Sequence, residues 1–134
     1  MRHQRAESPA RLNGHEAARR FFTSCFNAGD DARERLWVAH VDDATRCLHV
    51  ECYAGEPDSV GLPVREIIVD AAQLGSAGLV LAHNHPSGDS RPSAADCRAT
   101  RKLARVAEAL DLTILDHLIF AGDDCSSMRR LGLL

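Results

Sequence analysis

Between His15 and Phe26 the apolar residues Ala17, Ala18, Phe21, Phe22, Cys25 and Phe26 recur at helical spacing, which predicts an amphipathic helix over His15–Cys25. Asn27-Ala28-Gly29-Asp30-Asp31 then ends it. Leu36–Val41 is apolar on both parities, the pattern of a strand covered on two faces, and Asp42-Asp43-Ala44-Thr45 reads as a hairpin turn into a second strand, Cys47–Tyr53. Loop signals follow at Gly55-Glu56-Pro57-Asp58 and Gly61-Leu62-Pro63. Val64, Ile67, Ile68, Ala71 and Leu74 then mark a helix that Pro63 starts and Gly75 closes. A third strand is expected at Leu79–His85, a tight loop at Pro86–Pro92, a long helix from Ser93 to Leu110, and a final strand at Thr113–Phe120 before a short tail, Cys125–Leu134. The order predicts an α/β sandwich with a mixed sheet.

At 134 residues the chain has room for one core. Residues 1–13, polar and carrying a Ser-Pro, read as a flexible lead-in, and 14–134 as the domain. A net charge of −3 gives no global attraction to nucleic acid or to an anionic membrane, so any such binding needs a local patch. No apolar run approaches the roughly 20 residues of a membrane helix, and the first residues lack the apolar core of a secretion signal. Cys25, Cys47, Cys52, Cys97 and Cys125 form no Cys-x-x-Cys pair and no disulfide framework. The expectation is a cytoplasmic protein without a membrane segment.

The chemistry concentrates where the third expected strand ends, in His83-Asn84-His85-Pro86-Ser87-Gly88. Alternate residues of a strand share a face, so His83 and His85 point the same way. Asp96 follows eleven positions later. Two imidazoles and a carboxylate leave one position of a tetrahedral zinc ion open, as a catalytic site requires. Asp96 also has a structural reading, since Ser93-x-x-Asp96 matches a capping box with Ser93 as N-cap. The two readings are compatible, because a fixed helix start holds the carboxylate rigidly. Such a site needs an acid or base that is not a ligand. Glu34, Glu51 and Glu66 all qualify by position, and spacing does not choose among them.

Arg65-Glu66-Ile67, Leu81-Ala82-His83-Asn84-His85-Pro86-Ser87-Gly88-Asp89, Pro92-Ser93-Ala94-Ala95-Asp96 and Leu115-Asp116-His117-Leu118-Ile119 together closely resemble the RadC family of the JAB/MPN (JAMM) zinc metalloproteins. The superfamily pattern of an upstream Glu, His-x-His-Pro, a Ser and an Asp is matched at His83, His85, Pro86, Ser93 and Asp96. Glu34-Arg35-Leu36-Trp37-Val38-Ala39-His40-Val41-Asp42 resembles the segment that carries the family's acidic residue.

The resemblance spans roughly residues 8–134 and implies a single MPN/JAB-like α/β domain of cytidine-deaminase-like architecture. It implies zinc held by His83, His85 and Asp96, with Glu34 as the catalytic acid/base and Ser93 as the residue that stabilises the oxyanion. It also implies hydrolysis of amide or isopeptide bonds in a peptide or protein substrate, as in deubiquitinating enzymes. Asp116-His117 is a RadC-like pair to which the resemblance assigns no role; a hydrogen bond to a ligand is one that it could serve. Family members commonly carry an N-terminal helix-hairpin-helix-like segment, which the sequence is expected to lack, weakening any DNA link. The zinc deaminases do not fit, since they need His-x-Glu and a later Pro-Cys-x-x-Cys.

Two binding surfaces remain as expectations. Arg98, Arg101, Lys102 and Arg105 lie at i, i+3, i+4 and i+7, opposite the apolar stripe Ala99, Leu103, Val106 and Leu110. That row is either a solvated helix face or a set of phosphate contacts of an accessory nucleic-acid domain. A strand edge near Glu34–Val41 could accept an extended peptide by β-addition.

Overall fold

The computed structural model describes residues 10–27, 33–54 and 62–134. Three helices and five strands alternate as α1 (His15–Asn27), β1 (Arg35–Val41), β2 (Cys47–Ala54), α2 (Val64–Leu74), β3 (Gly78–Asn84), α3 (Ala94–Glu108), β4 (Thr113–Ala121) and β5 (Asp124–Ser127). The strands form one sheet in the order β2-β1-β3-β4-β5. Its pairs are antiparallel except β3 with β4, so the sheet is mixed, as the element order predicts. The residues after Asn27 and the loop signals at Gly55–Asp58 and Gly61 lie outside the described residues, as do residues 1–9 of the expected lead-in. Ala10 and Leu12 are hydrogen-bonded at the outer side of β2, through Cys47 N to Ala10 O and Leu12 N to Thr45 O, each at 2.8 Å. No helix among the described residues is long and apolar enough to cross a membrane.

The sheet is the middle of three layers, because its central strands are apolar on both faces. On one face α1 packs Ala18, Phe22, Cys25 and Phe26 against Ala39, Val41, Val80 and Leu118. On the other, Ile67 and Ala71 of α2 and Leu103 and Ala107 of α3 close over Leu36, Val38, Leu79 and Leu81. Leu79, Leu81, Leu103 and Ile67 are fully buried. Each such side chain contributes about 1.5–3 kcal/mol relative to exposure. Helix α2 ends where the sequence predicts, with Gly75 in the left-handed region at φ 67° and Ser76 N bonded to Ala71 O.

Two expectations are corrected. β1 is interior, paired with both β2 and β3, so it offers no free edge to a peptide; the sheet edges are β2 and β5. Residues 124–127, expected as tail, form the short edge strand β5. Cys47 and Cys52 lie in the one strand β2, and none of the five cysteines forms a disulfide.

A second pair of histidines lies under α2, remote from the first. His40 and His49 are cross-strand partners in β1 and β2, and both are fully buried. His40 Nδ1 lies 3.0 Å from Ser76 Oγ, and its Nε2 has no partner among the described residues. Burial, then the neighbouring His49, pushes the pKa of His40 down from 6.5 to about 4. Its folded value lies below its unfolded value, so between those pH values the unfolded chain takes up a proton that the folded chain refuses. Stability is therefore lost as pH falls from 6.5 toward 4, by roughly 3 kcal/mol for this one group. Urea midpoints measured at pH 7 and 4.5 should fall less in His40→Leu than in the wild type. Equal falls would show that His40 is not the source.

Candidate metal centre

The antiparallel register of β1 and β3 builds the site. Leu36 pairs with His83, so Glu34, two residues earlier, lies opposite His85 and on the same face. The main-chain ladder stops at that pair, and the side chain of Asn84 continues it. Its Oδ1 accepts from Arg35 N at 2.7 Å and its Nδ2 donates to Arg33 O at 2.9 Å, gripping the backbone on both sides of Glu34. The sequence motif gives Asn84 no role of its own. Its one signal was the strand alternation that turns it to the opposite face.

His83 is buried at the end of β3, and His85 follows just beyond it, its backbone N bonded to Phe120 O of β4 at 2.8 Å. The two Nε2 atoms are 2.9 Å apart. Asp96 reaches them from the start of α3, with Oδ2 3.1 Å from His85 Nε2 and Oδ1 3.5 Å from His83 Nε2. Glu34 approaches from the solvent side, its Oε1 3.7 Å from His83 Nε2 and its side chain 52 % exposed. Glu34, His83 and His85 each offer a ligand atom within 4.8 Å of one another. The other two candidate glutamates are elsewhere, Glu51 at 3.1 Å from His49 and Glu66 exposed in the first turn of α2.

The capping box fixes Asp96. Asp96 N donates to Ser93 Oγ at 3.0 Å, and Ser93 N donates to Asp96 Oδ2 at 2.9 Å. Burial by itself would raise the carboxyl pKa, but the hydrogen bonds from His83 and Ser93 outweigh it and hold the group well below the usual carboxylate range. Asp96 is thus an anion across the working pH range. Ser93 itself is exposed, with its hydroxyl oxygen engaged as the cap. The loop before it is braced by Gly88 at φ 89° and by the Asp89–Arg91 ion pair at 2.9 Å, which lowers the Asp89 carboxyl to about 2.

The donor set fits a small divalent cation of the zinc type. Bonds of about 2.0–2.1 Å to a tetrahedral ion put its ligand atoms about 3.3 Å apart, close to the 2.9, 3.1 and 3.5 Å separations found here. Proton placement agrees. His85 Nδ1 lies 2.7 Å from the carbonyl of Asp89, which only accepts, so Nδ1 carries a proton and Nε2 is the nitrogen turned to the site. His83 Nδ1 lies 2.6 Å from His117 Nε2, and His117 Nδ1 lies 2.7 Å from Thr100 Oγ1. The outward nitrogen of each histidine is therefore held, as ligating imidazoles require.

His117 reaches this face through an irregularity. The β3–β4 register shifts between Leu79 and Val80, so Leu79 pairs with Ile114 but Val80 pairs with Asp116. Leu115 is the extra residue and packs on the α1 side, which puts His117 on the α2/α3 side opposite Leu81. Gly78 makes room for it, since a Cβ there would lie 3.2 Å from Val41 Cγ2 and 3.3 Å from Leu115 Cδ1. Burial, then the adjacent His83, holds His117 well below the usual imidazole range, so it is neutral. Asp116 turns away from the site to bind the C-terminal turn. Arg98, Arg101, Lys102 and Arg105 are exposed on the side of α3 opposite buried Thr100, Leu103 and Ala107.

A sequence model of one family, described as "RadC-like JAB domain", matches residues 12–133. Two proteins named "UPF0758 protein", from Acidithiobacillus ferrooxidans strains ATCC 53993 / BNL-5-31 and ATCC 23270, are each 39 % identical over 104 residues. The match covers 77 % of this chain and 46 % of each relative, so the chain spans about half their length.

Proposed function

Because the chain belongs to the RadC-like JAB domain family, we propose that it is a zinc-dependent hydrolase of amide or isopeptide bonds in a peptide or protein. The observation that carries this reading is the convergence of His83 Nε2 and His85 Nε2 at 2.9 Å beside the carboxylate of Asp96, with both outward nitrogens engaged. His83, His85 and Asp96 would hold the ion, which when bound would supply a Lewis acid able to polarise a water or a carbonyl.

The chain's own residues do the rest. Glu34 is close enough to the histidine pair to take a proton from a water there, and exposed enough to deliver it to a departing nitrogen. Asn84 fixes the backbone from which Glu34 reaches. The Ser93 hydroxyl accepts from Asp96 N and still has its own proton to donate to an oxygen developing negative charge.

Elemental analysis tests the metal half of this reading. Protein purified without chelator should hold one equivalent of zinc, and His83→Ala and Asp96→Ala should fall to background. Wild-type protein that holds no zinc, even after zinc is supplied, would overturn it. The cationic row on α3 supports a second reading, an accessory domain that contacts nucleic-acid phosphates. Under that reading binding weakens with salt and with neutralisation of Arg98, Arg101, Lys102 and Arg105.

A further inference from the structure

The two histidines of the site are held from behind by different kinds of partner. His85 Nδ1 faces the Asp89 carbonyl, an acceptor only, which fixes a proton on Nδ1 and leaves Nε2 as the nitrogen that can take an ion. His83 Nδ1 faces the ring nitrogen of His117 at 2.6 Å, and His117 in turn faces a hydroxyl, Thr100 Oγ1, at 2.7 Å. A neutral imidazole can be donor or acceptor at either nitrogen, and a hydroxyl can be both. Nothing in this line fixes a direction. All three side chains are buried, so an unpaired N–H or lone pair along the line would be costly.

We propose that His83, His117 and Thr100 form a tautomer relay that frees His83 Nε2 for a metal while every buried hydrogen bond in the line is kept. The inference rests on the reading of the site as a zinc centre. Without metal, His83 Nε2 faces the Asp96 carboxylate, an acceptor only, at 3.5 Å, with His85 Nε2 2.9 Å away, so His83 carries its proton on Nε2 and donates it into the site. Its Nδ1 is then bare and accepts from His117 Nε2–H, and His117 Nδ1 accepts from the Thr100 hydroxyl. With metal, His83 Nε2 must be bare. Its proton sits on Nδ1 and is donated to His117 Nε2, and His117 Nδ1–H is donated to Thr100 Oγ1. Both states hold the same three protons on these groups, redistributed by exchange with water, so no charge is created in the core. Thr100 suits the end of the line because a carbonyl, a carboxylate or an amide N–H would freeze one direction. His85 is thus preset for the ion, and His83 is switchable.

Ring-nitrogen NMR of the full chain labelled with 15N tests the relay at about pH 8.5, well above the imidazole pKa near 6.5. The protonated nitrogen of His117 should be Nε2 without metal and Nδ1 after one equivalent of zinc. The same His117 tautomer in both states, with zinc bound, would overturn the relay and leave the zinc centre standing. A wild-type chain that takes up no zinc would overturn both. Thr100→Val, close to isosteric, leaves His117 Nδ1 without a partner in both states, as a lone pair without metal and as an N–H with zinc, and a buried orphan N–H is the costlier of the two. It should weaken zinc affinity, read by competition with a chelator, about 10- to 100-fold, and Thr100→Ser should restore it. Wild-type affinity in Thr100→Val would equally overturn the proposal. Because Thr100 is a positioning residue here, metal affinity and the His117 spectrum move without any reference to turnover.

Discussion

Glu34→Gln is expected to keep one equivalent of zinc and to lose about 10²- to 10⁴-fold in kcat/KM on any peptide amide or isopeptide that the wild type cleaves. That loss corresponds to about 3–5 kcal/mol of transition-state stabilisation. Glutamine has the shape of glutamate and can still hydrogen-bond to a water, but it cannot take and return a proton. The proposed role is that of a proton shuttle and not of a ligand. Glu34 Oε1 is 3.7 Å from His83 Nε2 and half exposed, whereas Asp96 is half-buried, held by the helix cap, and 3.1 Å from His85 Nε2. Zinc content and turnover measured on the same preparation decide the matter. If Glu34→Gln loses zinc as His83→Ala does, Glu34 is a ligand and the assignment of the proton shuttle fails. If both zinc and turnover survive, the shuttle is another group.

Asp116→Ala should destabilise the fold by about 3–4 kcal/mol, the largest stability loss expected of any polar replacement here. Asp116 is buried where β4, β5 and the C-terminal turn meet. Its Oδ1 accepts from His117 N at 2.7 Å and from Arg129 N at 3.1 Å, and its Oδ2 accepts from Ser127 Oγ. Alanine strands three donors, two of them in fully buried hydrogen bonds, at about 1–3 kcal/mol each before relaxation. For a domain of this size the melting temperature should drop by roughly 10–15 °C. Asp116→Asn, which keeps the acceptor at Oδ1, should lose less. A drop of only one or two degrees in Asp116→Ala would show that the C-terminal turn is held by its other bonds, such as that of Arg129 Nη2 to Ile114 O. Because Asp116 adjoins His117, zinc affinity should weaken along with stability.

The unequal legibility of these features has a physical cause. The helix stripes, the Gly75 stop, the Ser93–Asp96 capping box and the shared face of His83 and His85 are set by chain geometry within a few residues, so period and cap chemistry reveal them. β5 was hidden because a four-residue edge strand reading Asp-Cys-Ser-Ser has no apolar alternation to show. The interior place of β1 was equally hidden, since an apolar strand says it is covered, not which strands flank it.

The site divides along the same line. The sequence by itself determined an α/β sandwich and the nearness of His83, His85 and Asp96, because those residues sit on a strand end and a helix start whose local geometry aims them. Glu34 could be preferred over Glu51 and Glu66 only by family resemblance. What brings it opposite His85 is the β1–β3 register, a pairing of residues about fifty positions apart. Asn84 and the His117–Thr100 line belong wholly to the tertiary structure. One depends on where a ladder stops, and the other on a single extra residue, Leu115, that turns His117 to the opposite face of β4. Register and bulge are set by how whole strands pack on one another, which no local pattern in the chain encodes.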